Sequence, residues 1–222
     1  MSLNISKGDM YDFVTHTWNT VKGECPHGCT YCYMKRWGKQ HPIYFDKREL
    51  KTDLGEGNFV FVGSSCDLFA EAIPHDWIIN TLTKCNWYSN RYLFQSKNPA
   101  KMRDYLLGDW LGKDRIVACT TIETNRFYPC KGASPPAESR AIGMERLSAF
   151  RRFVTIEPIL DFDLAPLVEL IKRCEPEQVN IGADSGGNHL PEPSAEKVLA
   201  LIDELGKFTT IARKTNLARL LK

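Results

Sequence analysis

No stretch of these 222 residues is long and apolar enough to cross a bilayer; the longest hydrophobic runs fall far short of the roughly 20 residues a spanning helix needs. An excess of charge of one sign is missing too. The 29 basic and 27 acidic residues leave a net charge of +2, so no global field demands nucleic acid, and local patches must be judged separately. The N-terminus lacks a signal-peptide pattern, and the opening Met1-Ser2-Leu3 is set aside as a cloning remnant. There is no internal repeat and no low-complexity tract. These absences lead to the expectation of a soluble, cytoplasmic protein without membrane contact. The length stands at the upper end of one domain, and a single domain over residues 1–222 is expected.

Cysteine is present in quantity but unevenly placed. Three of the eight fall in Cys25-Pro-His-Gly-Cys29-Thr-Tyr-Cys32, and the next is Cys66. In a reducing compartment thiolates serve metals rather than disulfides. An iron–sulfur cube needs four ligands; three close cysteines hold three irons and leave the fourth corner open to a small molecule. A structural zinc site is the rival reading, but such sites favour paired short spacings and four closed ligands. No second pair follows here, and His27 would have to serve as the fourth ligand from between two cysteines. Disulfides are a third reading, opposed by the odd count in the cluster. The other five cysteines form no second close set, so no accessory cluster is expected.

The three-then-two spacing, with Tyr31 before the last cysteine, resembles the signature of the radical S-adenosylmethionine superfamily. That resemblance implies a [4Fe–4S] cluster on Cys25, Cys29 and Cys32, with S-adenosyl-L-methionine on the open iron. It also implies reductive cleavage to a 5′-deoxyadenosyl radical that takes hydrogen from a substrate. Thr17-Trp18-Asn19, Cys32-Tyr33, Asp67-Leu68-Phe69 and Ile156-Glu157-Pro158 look like a family of small phage and bacterial members of unassigned activity. The family is distantly similar to spore photoproduct lyase, which repairs a thymine lesion and shares the tyrosine after the last cysteine.

Along the chain, strand and helix patterns alternate. The middle of residues 11–21 reads as a strand, and Asn58 to Val62 as a strand buried on both faces. Further strands are predicted over 91–97, 115–122, 152–157 and 178–183, with a short closing strand at 209–212. Helices are predicted over 75–85, 100–107, 137–150, 164–174 and 195–205; residues 34–39 and 47–54 offer at most helical turns. Such alternation implies an α/β fold with a parallel sheet and right-handed crossovers. Periodicity leaves a partial barrel and an open doubly wound sheet equally open. The resemblance implies the former: a six-unit (βα)6 partial TIM-like barrel with the cluster loop, 25–32, after strand one and a C-terminal tail over 209–222.

Reacting groups in α/β barrels gather at the carboxyl ends of the strands. That rule nominates Gly63-Ser64-Ser65-Cys66-Asp67, Gln95 and Lys97, Thr121 and Glu123, Thr155 and Glu157, and Asp184 and Ser185. From the resemblance, Ser64 and Ser65 stand where a glycine-rich segment meets the methionine amino group. Lys97 is then a partner for the methionine carboxylate, Glu123 or Glu157 for the ribose hydroxyls, and Tyr31 packs near adenine, with Thr121 beside them. Cys66 and Cys130 are candidate hydrogen-atom donors; Cys85 and Cys174, near helix ends, read as structural.

Two basic segments stand out. Lys35, Arg36, Lys39, Lys47, Arg48 and Lys51 are interleaved with Trp37, Tyr44 and Phe45, a composition suited to phosphate contact and base stacking or to a solvated face. Arg213, Lys214, Arg219 and Lys222 form the second, read as a cap on the last helix. Six strand–helix units consume nearly the whole chain and leave no accessory domain to close over a small substrate. Radical chemistry needs water excluded, so a large substrate, with nucleic acid the leading class, or a partner protein is expected to cover the mouth. An external electron donor is also required. A zinc-stabilised nucleic-acid-binding module without catalysis is the competing expectation.

Overall fold

The computed structural model describes residues 3–8, 10–108 and 111–222; Met1, Ser2, Asp9, Asp109 and Trp110 lie outside the described residues. Its frame is an eight-stranded sheet. In chain order the strands are β1 (Asn4–Ile5), β2 (His16–Trp18), β3 (Val21–Lys22), β4 (Tyr44–Phe45), β5 (Phe59–Val62), β6 (Arg91–Gln95), β7 (Ile116–Thr121), β8 (Arg151–Ile156), β9 (Gln178–Ile181) and β10 (Thr210–Arg213). The sheet order is β1-β2-β5-β6-β7-β8-β9-β10, with β3 and β4 forming a separate antiparallel ribbon. From β2 to β10 every neighbour is parallel, and only β1 runs antiparallel at the edge.

Five helices connect these strands: α1 (His75–Asn86), α2 (Pro99–Leu106), α3 (Ala137–Glu145), α4 (Leu164–Arg173) and α5 (Ala195–Gly206). Local chemistry sets their starts. Pro99 occupies the first turn of α2, where its missing N–H costs nothing, and Asn98 accepts from the Lys101 amide at 3.3 Å. Ser194 caps α5 in the same way.

Strand order decides between barrel and doubly wound sheet. It advances without reversal, so right-handed crossovers put every helix on one face. Neighbouring helices α2 to α5 pack side by side there. The other face is concave, and one side chain measures it. The Phe13 ring lies 5.1 Å from that of Phe59 on β5 and 5.3 Å from that of Phe153 on β8, although three strand spacings of a flat sheet would separate those strands by about 14 Å. The sheet is therefore curled around residues 10–14, with Tyr11 and Val14 buried among Phe59, Phe61, Leu93 and Phe153.

Several expectations need correction. The described residues carry five strand–helix units where six were expected; the crossover between β2 and β5 has only 3₁₀ turns at Tyr33–Trp37 and Lys47–Lys51, where the sequence offers at most helical turns. The third helix stops at Glu145 rather than 150. The apolar character of residues 11–15 reflects burial inside the curl; the strand itself is three residues long. The closing strand is a full member of the parallel sheet. Cys85 and Cys174 are buried, as a structural role requires. Among the described residues no helix is long and apolar enough to cross a membrane.

Phe153→Ala tests the packed interior. It is expected to cost about 3–5 kcal/mol in urea denaturation, whereas a cost below about 1 kcal/mol would mean that the concave face is open to water.

Candidate functional site

The carboxyl ends of the parallel strands open into a cavity of about 520 Å³. Cys25, Cys29, Tyr31, Ser64, Lys97, Thr121 and Glu157 line it, together with Tyr11, Asp67, Gln95, Thr155 and Lys214. Cys32, Ser65, Cys66, Glu123 and Cys130 are not in its wall.

The cysteine loop follows β3 and is shaped by its own backbone: the Gly28 amide donates to Cys25 O at 3.0 Å and the Cys32 amide to Cys29 O at 3.3 Å. His27 is buried, with Nε2 lying 2.8 Å from Asp67 Oδ2. It is thus a tether rather than a fourth ligand. Asp67 also accepts from Ser96 Oγ at 3.0 Å, the Lys97 amide at 2.8 Å and the Phe69 amide at 2.9 Å. Burial alone would raise this carboxyl, but His27 and the two amides overcome it and hold it below the usual range. One side chain thereby fixes the cysteine loop to the ends of β5 and β6.

A second hub lies behind the thiols. Glu123, just past β7, has no solvent exposure. Its carboxylate meets Lys97 Nζ at 2.7 Å and Arg140 Nη1 at 2.8 Å, and accepts a hydrogen bond from the Tyr31 hydroxyl. Burial works against the charge, yet the two cations hold this carboxyl far below the usual range. Lys97 also donates to Tyr31 Oη at 2.6 Å and to Cys29 Sγ at 3.3 Å. The ammonium at the cavity wall is therefore set beside a thiol sulfur by a carboxylate that itself stays hidden.

The loop after β5 begins at Gly63, whose φ of +81° favours glycine and whose missing Cβ would press on Cys66 O at 3.1 Å. Asn19 then holds both serines, exchanging side-chain contacts with Ser64 Oγ at 3.2 Å and accepting from the Ser65 amide at 2.9 Å. Cys66 lies against Cys25. Its hydrogen bond lowers the Cys25 thiol and raises its own. Cys130 is bonded to the cysteine loop through its carbonyl oxygen, which accepts from the Thr30 amide at 2.9 Å. The hydrogen-donor role anticipated for Cys66 and Cys130 finds no support in this geometry.

Opposite the thiols, Glu157 receives Lys214 Nζ at 2.7 Å and Asn216 Nδ2 at 2.9 Å. Gly182 makes room for it, since a Cβ there would meet Glu157 Oε1 at 2.7 Å. The C-terminal basic cluster is thus not a helix cap: Lys214 belongs to the cavity wall, and Arg219 pairs with Glu192. Tyr11, which sequence reasoning missed, rises from inside the curl; it donates to Gln95 Oε1 at 2.8 Å and shares a 2.7 Å hydrogen bond with Thr155 Oγ1. Its signal was the run of aromatics at 11–13, which was read as part of a strand.

The donor set suits some metals better than others. Among the described residues no three His, Cys, Asp or Glu side chains converge on one point where an ion would sit. Three thiols in one short loop, with a lysine ammonium beside one of them, fit the donor pattern of a cubane, whose cysteines each bind a different iron.

The fold is similar to that of a solved spore photoproduct lyase double mutant with bound AdoMet and dinucleoside spore photoproduct. The TM-score is 0.57 at 12% sequence identity, over 92% of this chain and 66% of that one. The likeness is one of fold. This chain spans about two thirds of that protein's length. No protein-family model matches the chain, and neither does any curated protein.

Glu123→Gln is expected to destabilise the protein by about 3–5 kcal/mol at pH 7, because it leaves Lys97 and Arg140 buried without their counter-charge. The sign with pH follows from the lowered folded-state value. The stabilisation is fully present above the unfolded carboxylate range near pH 4 and is lost as pH falls below it. Urea denaturation of both proteins at pH 7 and pH 3 should therefore show the gap closing at the lower pH.

Proposed function

We propose that this chain is a radical S-adenosylmethionine enzyme in which Cys25, Cys29 and Cys32 bind a [4Fe–4S] cluster. The observation that carries the reading is the position of the three thiols: one short loop at the carboxyl end of the first parallel strand, with Cys25 and Cys29 in the wall of the cavity where the strand ends converge. When bound and reduced, that cluster with S-adenosylmethionine supplies a 5′-deoxyadenosyl radical able to abstract hydrogen from carbon.

The chain's own groups then have separate tasks. Lys97 offers its ammonium to the methionine carboxylate, and Glu123 keeps that ammonium aimed at the cavity. Ser64 provides a hydroxyl for the methionine amino group. Tyr31 and Thr121 form part of the wall around the nucleoside, and Glu157 takes the ribose hydroxyls at the far side. Tyr11 and Phe61 close the floor against water.

The reading extends to the substrate. A volume of about 520 Å³ is that of a single-ligand pocket, so a substrate reacting beside the cofactor inserts only its reacting part. Tyr33, Arg36 and Trp37 stand at the mouth, with Trp37 72% exposed and Arg36 over the Tyr33 ring at 5.8 Å. The two basic 3₁₀ turns differ here: Arg48 is bonded to Asp46, whereas Arg36 donates to Tyr33 O and, among the described residues, meets no carboxylate. An exposed aromatic with a nearby cation favours a nucleic-acid strand presenting one base. A partner protein over the mouth and an external electron donor complete the system.

Anaerobic reconstitution with iron and sulfide is expected to give brown protein with about four irons per chain. Dithionite and S-adenosylmethionine should then yield 5′-deoxyadenosine, and Cys29→Ala should abolish both. Colourless protein that retains zinc instead would overturn the assignment. For the substrate class, Trp37→Ala should weaken single-stranded oligonucleotide binding by about tenfold, within the 1–3 kcal/mol of one stacked base. Unchanged fluorescence anisotropy titrations would remove nucleic acid from the proposal while leaving the cluster chemistry intact.

A further inference from the structure

The segment between β7 and α3 spans residues 122–136, of which 124–136 read in sequence as a long loop rich in proline, glycine and serine. In the structure it folds back beneath the cysteine loop and touches it along the backbone. The Thr30 amide donates to Cys130 O at 2.9 Å, the Ala133 amide donates to His27 O at 2.8 Å, and Cys29 Sγ lies 3.3 Å from Lys131 O. Gly132 sits at the closest approach. A Cβ built there would lie 2.0 Å from His27 O, 2.9 Å from Gly28 C and 3.0 Å from Cys29 N, all of them backbone atoms that have no rotamer by which to move aside. Its φ of +61° is a second bar to any other residue.

The segment is itself held at both ends by one fully buried side chain. Arg140, in the first turns of α3, donates to Thr121 O at 2.8 Å and Glu123 Oε2 at 2.8 Å where the segment begins. It donates to Pro135 O at 2.7 Å and Ser134 Oγ at 2.6 Å where the segment ends. Ser134 Oγ in turn donates a hydrogen bond to Lys131 O at 2.8 Å, the same carbonyl that Cys29 meets. Four acceptors within the segment and its flanks thus receive the guanidinium, which is fully buried.

We infer that residues 122–136, with Gly132 as the contact point and Arg140 as the staple, are a backing plate that holds the cysteine loop in its ligand-presenting shape before any cluster binds. The purpose of the plate rests on the cluster reading; its mechanical role does not. A free loop of eight residues would have to be ordered at the moment of metal uptake, at a cost in backbone entropy for every residue fixed. Here that ordering is carried by the fold. Gly132 and Arg140 are positioning residues, acting through the backbone of residues 27–30.

The test uses the full chain. Amide hydrogen exchange of the cluster-free protein reads the plate directly, and iron bound after reconstitution reads its consequence. Gly132→Ala is expected to speed exchange at Thr30 and Ala133 by about tenfold, the effect of losing one well-formed hydrogen bond, and to reduce the iron retained to less than half. Gly57→Ala is the control: its φ is +72°, equally unsuited to a side chain, but nothing lies within 4 Å of the added Cβ. It should match wild type at Thr30 and in iron content. If Gly132→Ala does not fold, Ser134→Ala removes the hydroxyl between Arg140 and Lys131 O with no backbone strain, and should raise exchange at the same amides several-fold. Unchanged exchange at Thr30 and Ala133 in the variant that folds would overturn the inference, as would normal iron retention in that variant. A wild-type protein that takes up no iron would overturn the cluster reading alone, and the exchange comparison would still decide whether the plate exists.

Discussion

A carboxylate with no access to water cannot remain ionised unless its surroundings replace the hydration it has lost. Glu123 meets that condition with two cations and a phenol drawn from three separate parts of the chain: Lys97 past β6, Arg140 on α3 and Tyr31 in the cysteine loop. Each partner is in turn committed elsewhere. Lys97 touches Cys29, Arg140 fastens the segment beneath the loop, and Tyr31 is bound by its neighbours to the thiols on either side. Removing the charge would strand two buried cations, and moving it would break contacts in all three places at once. The geometry of the thiol loop is therefore tied to an electrostatic requirement that lies behind the cavity and not in it.

Asp67 does the equivalent work from the other flank. It is a lesser constraint, because its partners are an imidazole, a hydroxyl and two backbone amides rather than two full charges. Yet it joins the loop to β5 and β6 through one atom, Oδ2, shared by His27, Ser96 and the Lys97 amide. Lys97 is thus gripped by its backbone at Asp67 and by its ammonium at Glu123. A flexible four-carbon side chain held at both ends loses most of the freedom that makes lysine a poor positioning group elsewhere.

The parts of this arrangement that sequence discloses are those with a local signature. Buried parallel strands announce themselves as apolar runs such as Phe59–Val62, and the cysteine spacing is readable within eight residues. Lys97 and Glu157 were found because strand ends are where chemistry collects. The rest has no local period. Tyr11 bonds to residues 84 and 144 positions away, and Glu157 is met by Lys214 and Asn216 from the C-terminal segment. Arg140 looks in sequence like any solvent-facing arginine of a short helix, and its complete burial follows only from where residues 121–135 run. His27 offered itself as a ligand by its position between two cysteines, and only the location of Asp67 turns it away.

The crossover from β2 to β5 departs most from a regular strand–helix repeat, and the departure has a physical reason. A crossover helix would have to lay an apolar stripe on the outer face of the sheet, but the first turn after Cys32, Tyr33–Trp37, has no buried residue at all. Residues 33–45 attach to the body by other means: Phe45 against Trp77 and the Tyr33 hydroxyl on Ser64 O at 2.9 Å. No residue of 33–45 is buried, so local opening of this stretch disturbs little of the core. It also begins one residue after the last thiol. The fold therefore joins a loop backed by residues 130–133 to a solvent-facing segment at the cavity mouth, and the Tyr33 hydroxyl on Ser64 O pins the start of that segment to the end of β5, so the contacts that hold residues 27–30 are separate from those that hold residues 33–37.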